Sequence, residues 1–258
     1  MTAAAKSDQS FDRLVKSSRP FDRRSFLVHS SAASLAIGTA LGTDHLRSFA
    51  DDLNATATTP AVRRRPTAGM TEGPFYPDKL PLDTDNDLIV INDSSSSAVG
   101  EITYLGGRIV DLDGRPVPSA HVEIWQCDAG GVYYHSRDRN IDRRDVQFQS
   151  YGRFVTDRQG RYFFRTIKPV AYTGRTPHIH FAVSRKGRRL LTTQMLIEGE
   201  PQNKTDGLFK RIKSEQRHTV LAQFHPLRDP SPASDKVLDP AQWNVNFDIV
   251  LGKTAEGI

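Results

Sequence analysis

From Thr71 onward the sequence is a series of short alternating or apolar runs, each stopped by a tight-turn signal, and this punctuation limits the fold more than any other feature. Leu105–Val110 is stopped by Asp111-Leu-Asp-Gly114, and His121-Val-Glu-Ile-Trp125 alternates as a half-buried strand does. Arg153–Thr156 and Tyr162–Ile167 flank the turn Asp157-Arg-Gln-Gly160 and read as a hairpin. His178–Ser184 and Leu190–Ile197 flank Lys186-Gly187 and read as a second one. Asn244–Leu251 supplies a closing strand. One helix is expected over residues 206–216 and a shorter one near 139–147. The expectation is an all-β fold, an antiparallel β-sandwich with one or two short helices. Polar stretches at 130–150 and 168–177 are the loops in which chemistry would sit.

The N-terminal part reads differently. Residues 1–50 hold Asp22-Arg23-Arg24-Ser25-Phe26-Leu27, then the mildly apolar, Ala/Ser-rich Val28–Gly42, and small residues at Ser48 and Ala50. That order of parts resembles a twin-arginine export signal, which carries proteins already folded and would place the mature chain in the periplasm or outside the cell. The apolar segment is too short and too polar for a stable membrane span. Residues 51–69 read as a linker and 70–258 as the domain. The formal charge of the chain is +5, but residues 1–50 hold 7 Lys/Arg against 4 Asp/Glu, which leaves 28 against 26 for the remainder. A near-neutral domain gives no electrostatic case for nucleic acid. With Cys127 as the only cysteine, no intramolecular disulfide can form and stability must come from an ordinary core.

His178 and His180 open the apolar run His-Ile-His-Phe-Ala-Val. In a strand, residues i and i+2 share a face, so both imidazoles converge while Ile179 turns into the opposite layer. Tyr172 lies just upstream, and Tyr133 follows Gly130-Gly-Val. Two imidazoles with two phenols form a donor set for a hard, high-valent metal, with Fe(III) the natural occupant, since phenolate is a hard anionic ligand. Trp125 reads as a core side chain near the sandwich seam, and Cys127 as a small buried one. Tyr134 and His135 read as pocket residues at most. His121, His218 and His225 have no partner spacing.

These residues resemble the intradiol ring-cleavage dioxygenases, the catechol and protocatechuate enzymes. The likeness runs from Thr71 to the C-terminus through Gly107–Gln126, Gly131-Val-Tyr133, Thr156–Tyr172, Pro177–Phe181 and Gln194–Gly199. It implies that Tyr133, Tyr172, His178 and His180 bind iron(III), with Tyr172 also the base that accepts a substrate proton. It implies that Arg175 stabilises carbanionic character on the ring, and that Gln194 lies near the iron. The substrates implied are a small catecholic compound and O2, and the product a muconate-type diacid containing both oxygen atoms. Thr71-Glu-Gly-Pro-Phe-Tyr76 resembles a segment near the substrate mouth, with Tyr76 as its pocket residue.

Two departures from that pattern stand out. Only five residues separate Tyr172 from His178, fewer than in the catechol and protocatechuate enzymes, so substrate specificity does not carry over. An N-terminal helical dimerisation segment has no room, which leaves a homo-oligomer possible but unspecified. The alternative function is a secreted, non-catalytic β-sandwich binding module. A further alternative is a zinc or iron(II) enzyme that joins a carboxylate to the histidine pair.

Overall fold

The computed structural model describes residues 63–92, 95–227, 242–254 and 257–258, so the export-signal segment lies outside the described residues. Two five-stranded sheets face each other. In the first, β1 (Ile102–Val110) is central. It pairs antiparallel with β4 (Arg161–Ile167) on one side. On the other it pairs in parallel with β9 (Gln242–Asn246) and then with β10 (Ile249–Val250). β8 (Phe224–Pro226) adds to the free side of β9. The second sheet runs β3 (Tyr151–Val155), β2 (His121–Trp125), β5 (His178–Arg185), β6 (Arg188–Ile197), β7 (Leu221–Ala222). The sandwich is therefore antiparallel in its main pairs, with parallel additions at β9, β10 and β7. The expected strand Asn244–Leu251 is two strands, divided at Phe247 and Asp248.

The expected hairpin at Asp157–Gly160 is not one. β3 pairs with β2 in the second sheet and β4 pairs with β1 in the first, so this turn carries the chain from one sheet to the other. The cause is local. Gly160 at φ 71° lies where a Cβ would come within 2.5 Å of the Ile109 carbonyl oxygen, and its own carbonyl accepts Ile109 N–H at 2.8 Å. That close approach ties the turn to β1. The β5–β6 hairpin forms as expected.

Helical structure is scarce among the described residues. The region 206–216 is one short α-helix, α1 (Gly207–Arg211), followed by a 3₁₀ stretch, Ser214–Val220. The region near 139–147 holds only the 3₁₀ turn Ile141–Arg143. No helix among the described residues is long and apolar enough to cross a membrane.

Leu105, Ile109, Phe164, Ile179, Phe181, Val183, Met195 and Phe247 fill the space between the sheets. Residues 64–69, read from sequence as linker, and Met70 after them are held against this body. Arg64 N–H donates to Leu112 O and Thr67 N–H to Val250 O, both in the first sheet's region, while Met70 N–H reaches Thr192 O on β6.

Gly107 marks the tightest approach in the core. A Cβ there would sit 2.2 Å from Phe247 O and 2.8 Å from the Tyr162 hydroxyl oxygen. The obstruction is largely backbone and cannot rotate away. Gly107→Ala is expected to cost about 3 kcal/mol, at the upper end for overpacking. The check is a lower urea midpoint at unchanged slope, and an unshifted midpoint would contradict this packing.

Candidate metal centre

β5 is buried on both faces. Ile179, Phe181 and Val183 point between the sheets, while His178, His180 and Ala182 lie on the outer face, which loops cover instead of water. In register across that face stand Tyr151, Trp125, His180 and Gln194, one from each of β3, β2, β5 and β6. Trp125 stacks flat on the His180 imidazole, with centroids 4.8 Å apart and planes at 11°. It thus sits outside the sandwich core, contrary to the expectation from sequence, and it fixes the plane of one histidine ring.

The loop after β2 delivers Tyr133. Asp128 organises it. Its Oδ1 accepts from the backbone N–H groups of Gly130 and Val132 at 2.8 and 3.0 Å, and its Oδ2 accepts from Asp145 N–H at 2.7 Å. Tyr133 N–H donates to Asp138 Oδ2 at 2.8 Å. The loop before β5 delivers Tyr172. Gly174, at φ 76°, turns the chain so that Arg175 N–H donates to Tyr172 O at 2.8 Å. The Tyr133 and Tyr172 rings meet edge to face at 5.2 Å, and Tyr172 lies 5.6 Å from the His178 ring.

Three donor atoms converge. His178 Nε2 and His180 Nε2 are 3.2 Å apart, and Tyr133 Oη is 3.4 Å from the first and 3.2 Å from the second. The protonation state of His178 follows from its other nitrogen. Nδ1 lies 2.6 Å from Thr176 O, a carbonyl that can only accept, so Nδ1 carries the hydrogen and Nε2 presents its lone pair. Burial, followed by the Arg175 charge, pushes the His178 pKa down to about 4. Burial also holds His180 well below the usual imidazole value. Both rings are therefore in the neutral form that ligates. Burial pushes the Tyr133 phenol well up, and Tyr172 up as well, the latter opposed by Arg175. A multivalent cation reverses that cost, because it favours the phenolate.

The donor set fits a single metal ion. Edges of 3.2–3.4 Å are those expected of adjacent donors around one ion with bonds of about 2.0–2.2 Å. Tyr172 borders the same cluster. No third His, Cys, Asp or Glu joins the histidine pair among the described residues, so the zinc or iron(II) alternative lacks its carboxylate here.

Arg175 and Gln194 are at the site. Arg175 Nε donates to Asp206 Oδ2 at 2.8 Å, its Nη2 donates to Gln194 Oε1 at 2.6 Å, and its positive charge opposes the effect of burial on the Tyr172 phenol. Gln194 donates its amide to Thr71 O at 2.9 Å, so both ends of that amide are engaged. Beside Tyr172 and Arg175 a pocket of about 220 Å³ opens, bordered also by Gly174, Gln202 and Thr205.

Other sequence candidates lie elsewhere. His121, His218 and His225 are exposed. His135 is buried, but its Nδ1 accepts Arg137 N–H, and Tyr134 lies under the Arg144 guanidinium. Cys127 is buried with its thiol pushed up to about 12, chiefly by burial. In Thr71–Tyr76 it is Phe75, missed from sequence, that reaches the centre, stacked on Tyr133 at 4.9 Å. Tyr76 packs on the same outer-face cluster but against Trp125 and Tyr151, at 5.0 and 6.1 Å, with its hydroxyl donating to Glu123 at 2.8 Å.

The family model described as "Dioxygenase" matches residues 71–252. The chain is 36% identical over 211 residues to the protocatechuate 3,4-dioxygenase beta chain of Burkholderia cepacia, covering 74% of this chain and 85% of that one. The chain belongs to the intradiol ring-cleavage dioxygenase family. The hydroxyquinol 1,2-dioxygenase of Corynebacterium glutamicum is 28% identical over 231 residues, with 80% and 72% covered. Among solved structures, the dioxygenase domain of a carbohydrate-binding fusion protein from Streptomyces sp. SirexAA-E aligns with TM-score 0.53 and 28% identity. That alignment covers 74% of this chain and 100% of that one. Catechol 1,2-dioxygenase from Acinetobacter sp. ADP1 aligns with TM-score 0.54 and 26% identity, covering 83% and 69%.

The buried histidines of this dioxygenase make a pH prediction for the metal-free protein. Free imidazole titrates near 6.5, whereas folded His178 does so at about 4. Between those values the unfolded chain binds a proton that the folded chain excludes. Stability therefore falls as pH drops through this window and is unaffected above it. The expected slope is about 1.4 kcal/mol per pH unit per buried histidine. Urea midpoints measured from pH 8 to pH 4.5 check it, and a flat profile down to pH 5 would contradict neutral burial.

Proposed function

We propose that this chain opens a catechol-type ring between its two hydroxylated carbons, with Tyr133, Tyr172, His178 and His180 holding a ferric ion. The observation that carries the proposal is the triangle of Tyr133 Oη, His178 Nε2 and His180 Nε2, closed by Tyr172 at its edge. When bound, ferric iron supplies a Lewis-acidic centre that activates the catecholate ring toward O2. The neutral imidazoles give two uncharged donors and the phenols two anionic ones, so the pair of phenolates offsets most of a trivalent charge.

Tyr172 differs from Tyr133 in lining the open pocket beside Arg175, whose charge favours its phenolate form. An incoming catechol can therefore reach Tyr172 and pass it a proton, while the more deeply buried Tyr133 stays fixed. Arg175, oriented by two acceptors, places a fixed positive charge where the ring gains carbanionic character. Trp125, Phe75 and the 71–76 segment keep bulk water from the imidazoles and from Tyr133.

Ring opening is tested by giving the iron-loaded protein catechol under ¹⁸O2. A muconate-type diacid with both label atoms is expected. A ring-opened aldehyde, or a product with a single label atom, would overturn the intradiol reading. The Arg23-Arg24 pair further supports export of the folded protein by the twin-arginine route. Replacing both arginines by lysine is expected to retain the protein in the cytoplasm, and continued appearance outside it would refute that route.

A further inference from the structure

We infer that Asp206 is a positioning residue for the metal centre: one carboxylate oxygen builds the start of α1, and the other holds both the Arg175 guanidinium and the peptide that orients His178. This inference rests on the roles given above to Arg175 and His178.

Asp206 is 1% exposed, and the hydrogen bonds of its two oxygens are divided by purpose. Oδ1 accepts from Leu208 N–H at 2.9 Å and Phe209 N–H at 2.8 Å, the ordinary work of a helix N-cap. Oδ2 faces the other way. It accepts from Arg175 Nε at 2.8 Å and from Thr176 N–H at 3.1 Å. The Thr176 carbonyl in turn accepts from His178 Nδ1 at 2.6 Å, the bond that fixes the ring's tautomer and direction. One buried oxygen thus controls two arms, one to the guanidinium beside Tyr172 and one to the donor nitrogen of His178.

A cap alone does not require this residue. Asparagine and serine cap helices about as well as aspartate, but neither offers a second anionic acceptor. The surroundings brace the same arrangement. Thr176 Oγ1 donates to Asn203 Oδ1 at 2.7 Å, and Gln194 receives the other side of the Arg175 fork at 2.6 Å. A charge-assisted bond from a buried carboxylate has the strength and direction to hold Arg175 when substrate arrives.

The division of labour defines the test. In Asp206→Asn the amide oxygen can still cap α1, but its NH₂ then meets Arg175 Nε–H and Thr176 N–H, donor against donor. Cooperative thermal unfolding of the metal-free protein should be retained. Ferric affinity, read by competition with citrate, should fall about 10–100-fold, the usual effect of removing a group that orients a ligand. Turnover of catechol should fall by a similar factor in kcat. Against an Arg175→Gln background the kcat effect should vanish while the affinity effect persists, because the Thr176–His178 arm does not pass through Arg175.

Affinity and kcat both within about threefold of wild type would overturn the inference, as would equal kcat losses in both backgrounds. Asp206→Ser, which caps with a single oxygen, reads the same quantities should the asparagine variant fold poorly. Loss of cooperative unfolding in both variants would reduce Asp206 to a cap and overturn it as well. If wild type fails to turn over catechol, the proposed function falls, yet ferric affinity still decides the role of Asp206.

Discussion

His178→Ala is expected to lower turnover of catechol by roughly 10³-fold or more and to release ferric iron to a weak chelator. Side chains that merely orient a ligand are worth about 10–100-fold, so loss of a direct donor must exceed that range. His178 supplies the Nε2 atom that lies 3.2 Å from His180 Nε2 and 3.4 Å from Tyr133 Oη, so its removal takes away one corner of the triangle. The control is His135→Ala. His135 is also buried, but its Nδ1 accepts a backbone N–H and its ring contacts Phe75 edge to face. That variant should stay within about tenfold of wild type. Equal losses in the two variants would mean that burial of any histidine, and not metal ligation, was being read.

Arg175→Gln is expected to lower kcat by about 10²–10³-fold while the iron stays bound, the magnitude typical of removing one preorganised donor at a charge that develops during reaction. The Arg175 side chain hydrogen-bonds Gln194 and Asp206 and not Tyr133, His178 or His180, so its loss should separate chemistry from metal retention. A stability cost accompanies it, because Asp206 loses its ionic partner. Breaking a buried pair costs about 3–5 kcal/mol, and the low end is expected because three backbone N–H groups remain on the carboxylate. Stopped-flow turnover with metal analysis checks both parts. Loss of iron in parallel with loss of turnover would place Arg175 in the metal's own shell instead.

The histidine pair could be read from the sequence because its geometry is local. Two residues apart in a strand share a face, and the apolar alternation of Ile179, Phe181 and Val183 fixed which face that was. The tyrosines were harder. They come from loops whose paths are set by tertiary contacts, by Asp128 for one and by the Gly174 turn for the other, and only the order of residue types linked them to the strand. The Asp157–Gly160 turn shows where local chemistry misleads. A four-residue Asp-to-Gly turn between two strands suits a hairpin, and only the approach of Gly160 to Ile109 in another strand makes it a crossing between sheets. The same holds for Asp206, whose local signal is that of a helix cap. Its second oxygen is committed 31 residues away in sequence, to Arg175. Trp125 was legible as buried, but which side of the sheet it lay on depended on the register that sets it beside His180.

The central claim is that Tyr133 and Tyr172, with His178 and His180, bind ferric iron. The visible spectrum of the iron-loaded protein tests it most directly, recorded before and after catechol is added without oxygen, beside a Tyr133→Phe variant. A broad phenolate-to-iron(III) band that shifts with catechol and weakens in the variant is the predicted result. A colourless protein that does not retain ferric iron, or a band unchanged in Tyr133→Phe, would contradict it.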